Sequence, residues 1–278
     1  LAATNLDRSH MPKLYEGSAA TGRLRDEVAK AWGMPLQPVV AGGGGDNPAS
    51  ACGIGAVKDE AAFLSVGTSG VFFVSNARFS PNADRAIHAF CHAVPGAWHQ
   101  MGVHLSAAGS LEWLAGILKK PVPDLLKALG DKVDGPASAL FLPYLSGERT
   151  PVADATVRGA LMGIGYETDE RMLTQAVLEG VAFTFRDSLE ALRVAGSKVT
   201  EASVVGGGSR SGLWVQIMAD TLGIPLTLHH GGELGGAFGA ARLGLCAATG
   251  ADPKVVCTKP PVARVVEPDK GKAQAYAD

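Results

Sequence analysis

Apolar positions along the chain recur with two periods. Between about Asp169 and Ala195, the residues Leu173, Val177, Phe185, Leu189 and Leu192 fall near one face of a 3.6-residue repeat, predicting one long amphipathic helix. Short apolar runs bounded by glycine predict strands. "AAFLSVGTSGVFFVS" (61–75) reads as a hairpin closed by a glycine-bounded turn. "AIHAFCHAVPGAWHQMGVHLS" (86–106) reads as two short strands joined at Pro95-Gly96, with His99, Met101 and Val103 alternating against Gln100 and Gly102. "SAAGSLEWLAGILKK", capped by Ser106, and "PDLLKALGDKV" predict helices, and "ALFLPYLSGERTP" predicts a buried strand running into a loop that holds Glu148 and Arg149. Near the start, residues 18–33 carry a helix pattern ending at Gly33, and a strand runs from Pro35 to Ala41. After the glycines that follow, Asp46 or Asn47 caps a small-residue helix through Val57.

The last third alternates strand "EASVVGGG", helix "SGLWVQIMADTLG", strand "PLTLHH" and helix "GGAFGAARLGLCAATG", then dissolves past Gly250. Such alternation predicts an α/β fold in which a sheet is covered by helices on both faces.

Composition narrows the functional classes. With 46% hydrophobic and 19% charged residues, the chain has material for a large core. A net charge of −2 without a basic block gives nucleic acid nothing to bind, and no apolar run reaches the ~20 residues of a membrane helix. Four cysteines without CxxC spacing predict reduced thiols in a cytoplasmic protein. His88, His92, His99 and His104 lie close to Cys91; a zinc site would need them to converge, whereas the strand reading has them packed or hydrogen-bonded.

Chemistry concentrates where strands end in glycine. Three turns, Gly42–Gly45, Gly67-Thr68-Ser69-Gly70 and "GGGSRS" (206–211), can present backbone N–H groups to phosphate oxygens. None carries the lysine of a P-loop, and "GGGSRS" is not the dinucleotide fingerprint. Each could equally be a plain turn. Asp46 follows the first of them, either as a helix cap or as a carboxylate held toward a substrate.

A series of motifs decides between these readings. "MPKLYEGSAATGRLRDEVAKAWGMPLQPVVAGGGGDN", "GTSGVFFVS", "FCHAVPGAWHQMGVHLSAAGSLEW", "FLPYLSGERTP", "AVLEGVAF", "GGGSRSGLWVQIMAD" and "GAFGAARLG" together resemble the FGGY carbohydrate kinases over nearly the whole chain. The resemblance implies an actin-like ATPase (ribonuclease H-like) fold, with a mixed sheet flanked by helices. Residues 1–57 would end a first domain, and residues 58–278 would form most of a second, nucleotide-binding one. Family members are about twice this length, so the chain is expected to be a fragment lacking the first domain's phosphate loop and the family's final helix.

The implied activity is ATP-dependent phosphorylation with Mg²⁺ of a sugar, D-xylulose first. The alternatives are another ketose or polyol, or a non-catalytic actin-like binding module. A homodimer is compatible with the family. By the family's pattern Asp46 is the general base and Asn47 binds sugar hydroxyls. Gly67, Thr68 and Ser69 would hold the outer phosphates of ATP. Gly206, Gly207 and Gly208 would let the nucleotide lie against the backbone, with Ser211 beside the adenine. Glu148 and Arg149 are expected to form a structural ion pair in the cleft wall. The chain shows four glycines before Asp46 where relatives often show three or fewer, and Met172 replaces a usually polar residue.

Overall fold

The computed structural model describes residues 2–232 and 235–277. Strand β1 (Ala20–Arg23) pairs antiparallel with β2 (Val39–Ala41), and the short helix α1 (Asp26–Ala31) lies between them. This corrects the helix expected over 18–33. Thr21 and Gly22 are weak helix formers, and cross-strand bonds win there: Thr21 Oγ1 donates to Val40 O at 3.0 Å and Arg23 Nη1 to Gln37 O at 2.9 Å. The chain turns helical only from Asp26, where Asp26 and Glu27 complement the helix dipole. The strand expected from Pro35 shrinks to Val39–Ala41, the stretch that finds a ladder partner.

Helix α2 (Asp46–Ile54) is capped by Gly45 rather than by Asp46 or Asn47, and stops short of Val57 at Gly55, whose φ of +73° suits glycine. Two antiparallel pairs follow as the sequence predicts, β3 (Ala62–Val66) with β4 (Gly70–Asn76), and β5 (His88–Cys91) with β6 (Trp98–His104). Next come α3 (Ala108–Leu118), α4 (Val122–Leu129), a small sheet of β7 (Leu140–Leu142) with β8 (Ala160–Met162), and the long α5 (Glu170–Val194). Asp169 caps α5 by accepting from Met172 N at 2.8 Å.

The remainder is β9 (Ala202–Val205), α6 (Gly212–Leu222), β10 (Leu226–His229), α7 (Gly235–Thr249), α8 (Pro253–Val256), β11 (Val262–Val266) and α9 (Lys270–Ala277). The last three elements correct the expectation that structure dissolves past Gly250. Strand β11 escapes a pattern search because only Val266 of its residues is buried. Glu233 and Leu234, inside the "GGELGGAFGAARLG" motif, lie outside the described residues.

Among the described residues, seven strands form one mixed sheet in the order β11-β10-β9-β3-β4-β6-β5. Strand β9 runs parallel to both β3 and β10, and the other neighbours pair antiparallel. Successive side chains of a strand face opposite sides. Leu64 and Val66 therefore enter the large core beneath α3, α4, α5 and α6, while Phe63 joins Phe73, Ala51 and Ile54 on the α2 side. Here α2 and α7 approach until a Cβ on Gly53 would stand 1.9 Å from Gly235 O, and one on Gly239 1.7 Å from Ala49 O. Of the small residues of α7 expected to serve packing, Gly235 and Gly239 do so, whereas Ala237, Ala240 and Ala241 are exposed. Cys52 and Cys257 join Leu243 in a satellite core, and all four cysteines are free thiols.

Candidate active site

The glycine run before Asp46 is shaped by its neighbours. A Cβ on Gly42 would meet Glu16 O at 2.3 Å, Gly43 adopts φ +75°, and a Cβ on Gly44 would press on the side chain of Ala93 at 3.0 Å. Gly42 N and Gly43 N donate to Ala19 O and Gly17 O, both at 2.9 Å. The run delivers Asp46, exposed, to the first turn of α2, where the helix dipole favours a carboxylate. Its Oδ1 accepts from Asn47 N at 2.9 Å and Asn47 Nδ2 at 3.3 Å. Beside it lies the start of α7, since a Cβ on Gly236 would approach Ser50 Oγ and Asp46 O.

The other two turns sit side by side because β3 and β9 are parallel neighbours and both end there. A Cβ on Gly206 (φ +89°) would meet Val66 O at 2.8 Å, and one on Gly208 would strike Val66 Cγ1 at 2.4 Å. Gly207, between them, is exposed and has open space at its Cβ position. Two of the three glycines thus fit the turn onto β3, and the third faces outward.

The β3–β4 turn is held from α3. Ala107 N and Ala108 N donate to Thr68 O and Gly67 O, both at 2.8 Å, and Gly109 N donates to Thr68 O at 3.1 Å. These bonds displace the expected Ser106 cap, because the carbonyls of the turn satisfy the helix's first N–H groups and Ala107 occupies the N-cap position. Thr68 and Ser69 remain exposed at the tip.

Between α3, α4 and the 207–214 segment opens a cavity of about 650 Å³. Leu111 and Glu112 of α3, Leu126 and Lys127 of α4, and Gly207, Arg210, Ser211 and Trp214 line it. Ser211 also caps α6, accepting from Trp214 N at 3.3 Å. The sequence reading missed the α3 and α4 walls; their residues read only as amphipathic helix, and nothing local says which outer face borders a cavity. A planar, partly apolar ligand suits this shape, with apolar side chains of α3 and α4 on one wall and the glycine turn at 207–208 on the other.

Glu148 does not pair with Arg149. Its carboxylate turns inward, Oε1 accepting from Leu105 N at 3.1 Å and Arg149 N at 2.7 Å, while the Arg149 side chain is exposed. Burial pushes the Glu148 carboxyl up to about 7. His92 and His99 pack around Phe73, His99 stacking on it at 4.7 Å and His92 meeting it edge-on at 5.7 Å. Burial holds both rings neutral, down to about 4. Among the described residues no three His, Cys, Asp or Glu groups converge as a metal cage.

A mixed sheet covered by helices, with paired glycine turns at its parallel strand ends, defines an α/β protein of the actin-like ATPase class. The family model for the C-terminal domain of the FGGY carbohydrate kinases matches residues 62–248, and the chain belongs to that family. It is 45% identical to the xylulose kinase of Escherichia coli (strain K12), covering 89% of this chain and 51% of that protein. To the xylulose kinase of Klebsiella pneumoniae it is 42% identical, covering 100% and 57%. Among solved structures, a xyloylose kinase from Brucella ovis superposes with a TM-score of 0.95 at 53% identity, covering 100% of this chain and 57% of that one. The xylulose kinase from Rhodospirillum rubrum gives 0.84 at 28%, covering 99% and 56%. The chain thus spans about half the length of the relatives it matches.

Proposed function

We propose that this chain carries the nucleotide site and the sugar-activating carboxylate of an ATP-dependent kinase that converts D-xylulose to D-xylulose 5-phosphate. The observation that carries the reading is the pair of turns, Gly67–Gly70 and Gly206–Ser209, set side by side at the ends of β3 and β9, the second of them lining a cavity. The names of the relatives favour xylulose as the acceptor. Residues 1–57 end the first domain in this reading, and residues 58–278 form the nucleotide-binding one.

Adenosine lies along Gly207 and Ser211 in the cavity, and Gly67, Thr68 and Ser69 receive the outer phosphates. Asp46 accepts the proton of the sugar's terminal hydroxyl as that oxygen attacks the γ-phosphorus. The bond from γ-phosphorus to the bridging oxygen breaks, and ADP departs with the electron pair. Asn47, bonded to the same carboxylate, orients Asp46 and offers its amide to a sugar hydroxyl. Mg²⁺ fits as a companion of ATP: it needs few protein ligands, and the exposed hydroxyls of Thr68 and Ser69 are neutral oxygens at the phosphate turn. When bound, the ion neutralises charge on the phosphates. We place the reaction in the cytoplasm, where free thiols persist.

The test is ADP release coupled to a reporter, measured on the full-length protein with D-xylulose, other ketoses and polyols. Turnover fastest with D-xylulose supports the reading. Preference for another acceptor, or nucleotide binding without turnover, overturns it.

A further inference from the structure

Beneath the Gly67–Gly70 turn lies a group of buried polar side chains that phosphotransfer does not use. His104 ends β6 directly opposite Gly70 in the ladder. Its Nε2 is 2.9 Å from Ser188 Oγ of α5. Its Nδ1 faces Glu148 Oε2 at 3.8 Å, and both side chains are fully shielded from solvent. Glu148 Oε1 is satisfied by two backbone N–H groups, but Oε2 and His104 Nδ1 have no hydrogen-bond partner. Unpartnered buried polar atoms are rare in native proteins. Two that face each other can be satisfied together by one proton.

We propose that Glu148 and His104 share a proton across this gap, and that the shared proton fixes the end of β6 under the nucleotide turn, making Glu148 a positioning residue for the phosphates of ATP. The inference rests on reading Gly67–Ser69 as the phosphate turn. Two arrangements satisfy every atom of the pair once the 3.8 Å gap closes to hydrogen-bond range. With Glu148 neutral, its O–H donates to Nδ1 and the ring proton on Nε2 donates to Ser188 Oγ. With Glu148 ionised, its proton has gone to solvent, the ring proton sits on Nδ1 and donates to Oε2, and Nε2 accepts from the Ser188 hydroxyl. The ring is neutral in both, and the exchange needs one proton released to solvent, a tautomer change and a hydroxyl rotation.

The surroundings suit this exchange. Burial lifts Glu148 to about 7 and holds His104 down to about 3, so neither an imidazolium nor a permanent carboxylate is favoured near neutrality. Arg149, the next residue, favours the carboxylate, whereas Asp187 from α5 opposes it. Tyr144 feels both acids, and Arg85, Arg186 and Glu190 surround Asp187.

The path to the turn is short. A Cβ on Gly70 would meet His104 Cδ2 at 3.4 Å and Phe185 Cζ at 2.9 Å, so the imidazole packs directly against the turn's last residue. Glu148 holds Leu105 N, and Ala107 and Ala108, just beyond it, hold the carbonyls of Thr68 and Gly67. Freeing residue 105 therefore loosens the segment that clamps the turn.

The test follows the ring nitrogens of His104 by two-bond ¹H–¹⁵N spectra from about pH 5.5 to about pH 8.5, the signal being identified by its loss in His104→Asn. Calorimetric titration of the same chain with a non-hydrolysable ATP analogue accompanies it, for the parent, Glu148→Gln, Glu148→Ala and Ser69→Ala. We expect His104 to pass from the Nε2–H to the Nδ1–H tautomer near neutral pH without becoming cationic. Glu148→Ala should lose roughly tenfold in nucleotide affinity. Glu148→Gln, whose amide N–H donates to Nδ1, should restore most of that affinity while freezing the ring as Nε2–H at every pH. A pH-invariant tautomer in the parent, an imidazolium in this range, or parent-like affinity in Glu148→Ala overturns the proposal. Unchanged affinity in Ser69→Ala alongside a normal tautomer exchange would instead remove the phosphate-turn reading and leave the shared proton standing.

Discussion

Gly207 and Gly208 are adjacent and chemically identical, yet they should respond oppositely to substitution. A Cβ at 208 would stand 2.4 Å from Val66 Cγ1, 2.9 Å from Val66 Cβ and 3.2 Å from Trp214 Cζ3. Neither neighbour can yield easily: Val66 is fully buried in β3, and Trp214, itself buried, is anchored by Nε1–H donating to Leu178 O at 3.0 Å. Overpacking of this kind costs about 1–3 kcal/mol, so Gly208→Ala should lower Tm by roughly 2–10 °C. At 207 an added Cβ meets nothing, and Gly207→Val should leave stability within about 0.5 kcal/mol. Its isopropyl group would instead occupy the cavity mouth where adenosine is placed, costing at least about 1.4 kcal/mol, or tenfold, in nucleotide affinity. Thermal unfolding and calorimetric titration with ADP separate the two effects. A Gly207→Val chain that melts and binds ADP like the parent would show that this cavity is not the nucleotide site. Parent-like melting of Gly208→Ala would show that the turn is not seated on β3 as described.

Asp46→Asn in the full-length protein should reduce kcat by about 10²–10⁴ and leave nucleotide affinity unchanged; parent-like turnover would make Asp46 a first-turn helix residue and nothing more. Gly239→Ala, placing a methyl 1.7 Å from Ala49 O, should separate α2 from α7 at a cost of about 3 kcal/mol or more, read by chemical denaturation. Glu148 shifts upward from its ordinary 4.5 to about 7, so folding favours its protonated form: the stability this contributes is complete below pH 4.5 and is lost as pH rises through 7. That loss amounts to about 3 kcal/mol, and Glu148→Gln should flatten it; identical pH–stability curves for parent and variant would contradict the contribution.

The hairpins and α5 were legible because their pattern and their partners are both local. β3 and β4 are joined by a turn whose glycines announce it, and the repeat in α5 outlasts any competing reading. Strand β1 was not, since its sheet partner lies beyond an intervening helix and its residues favour neither state strongly. β11 was hidden by its own exposure. At the site, the turns could be seen but the reason for each glycine could not: Gly206 and Gly208 answer to Val66, far away in sequence. The same blindness paired Glu148 with its neighbour Arg149, when the partner that faces it is His104, brought close only by the approach of the 143–155 loop to β6.

The alternation of β3 has a consequence for how the site can move. Leu64 and Val66 bind the nucleotide turns to the large core beneath α3, α5 and α6, whereas Phe63, on the other face, stacks on Phe73 at 4.8 Å and supports α2, which begins at Asp46. The phosphate turn and the proposed base are therefore seated on opposite faces of one strand pair. Interiors are close-packed, so a displacement of either layer is passed on through side chains in contact, and the side chains of the sheet lie between the two layers. Packing lost at Phe63 should loosen α2 and Asp46 while the clamp from α3 onto Thr68 stays intact. Packing lost at Leu64 should do the reverse. Sugar activation and nucleotide holding are in this sense separable by mutation, although they are built on consecutive residues.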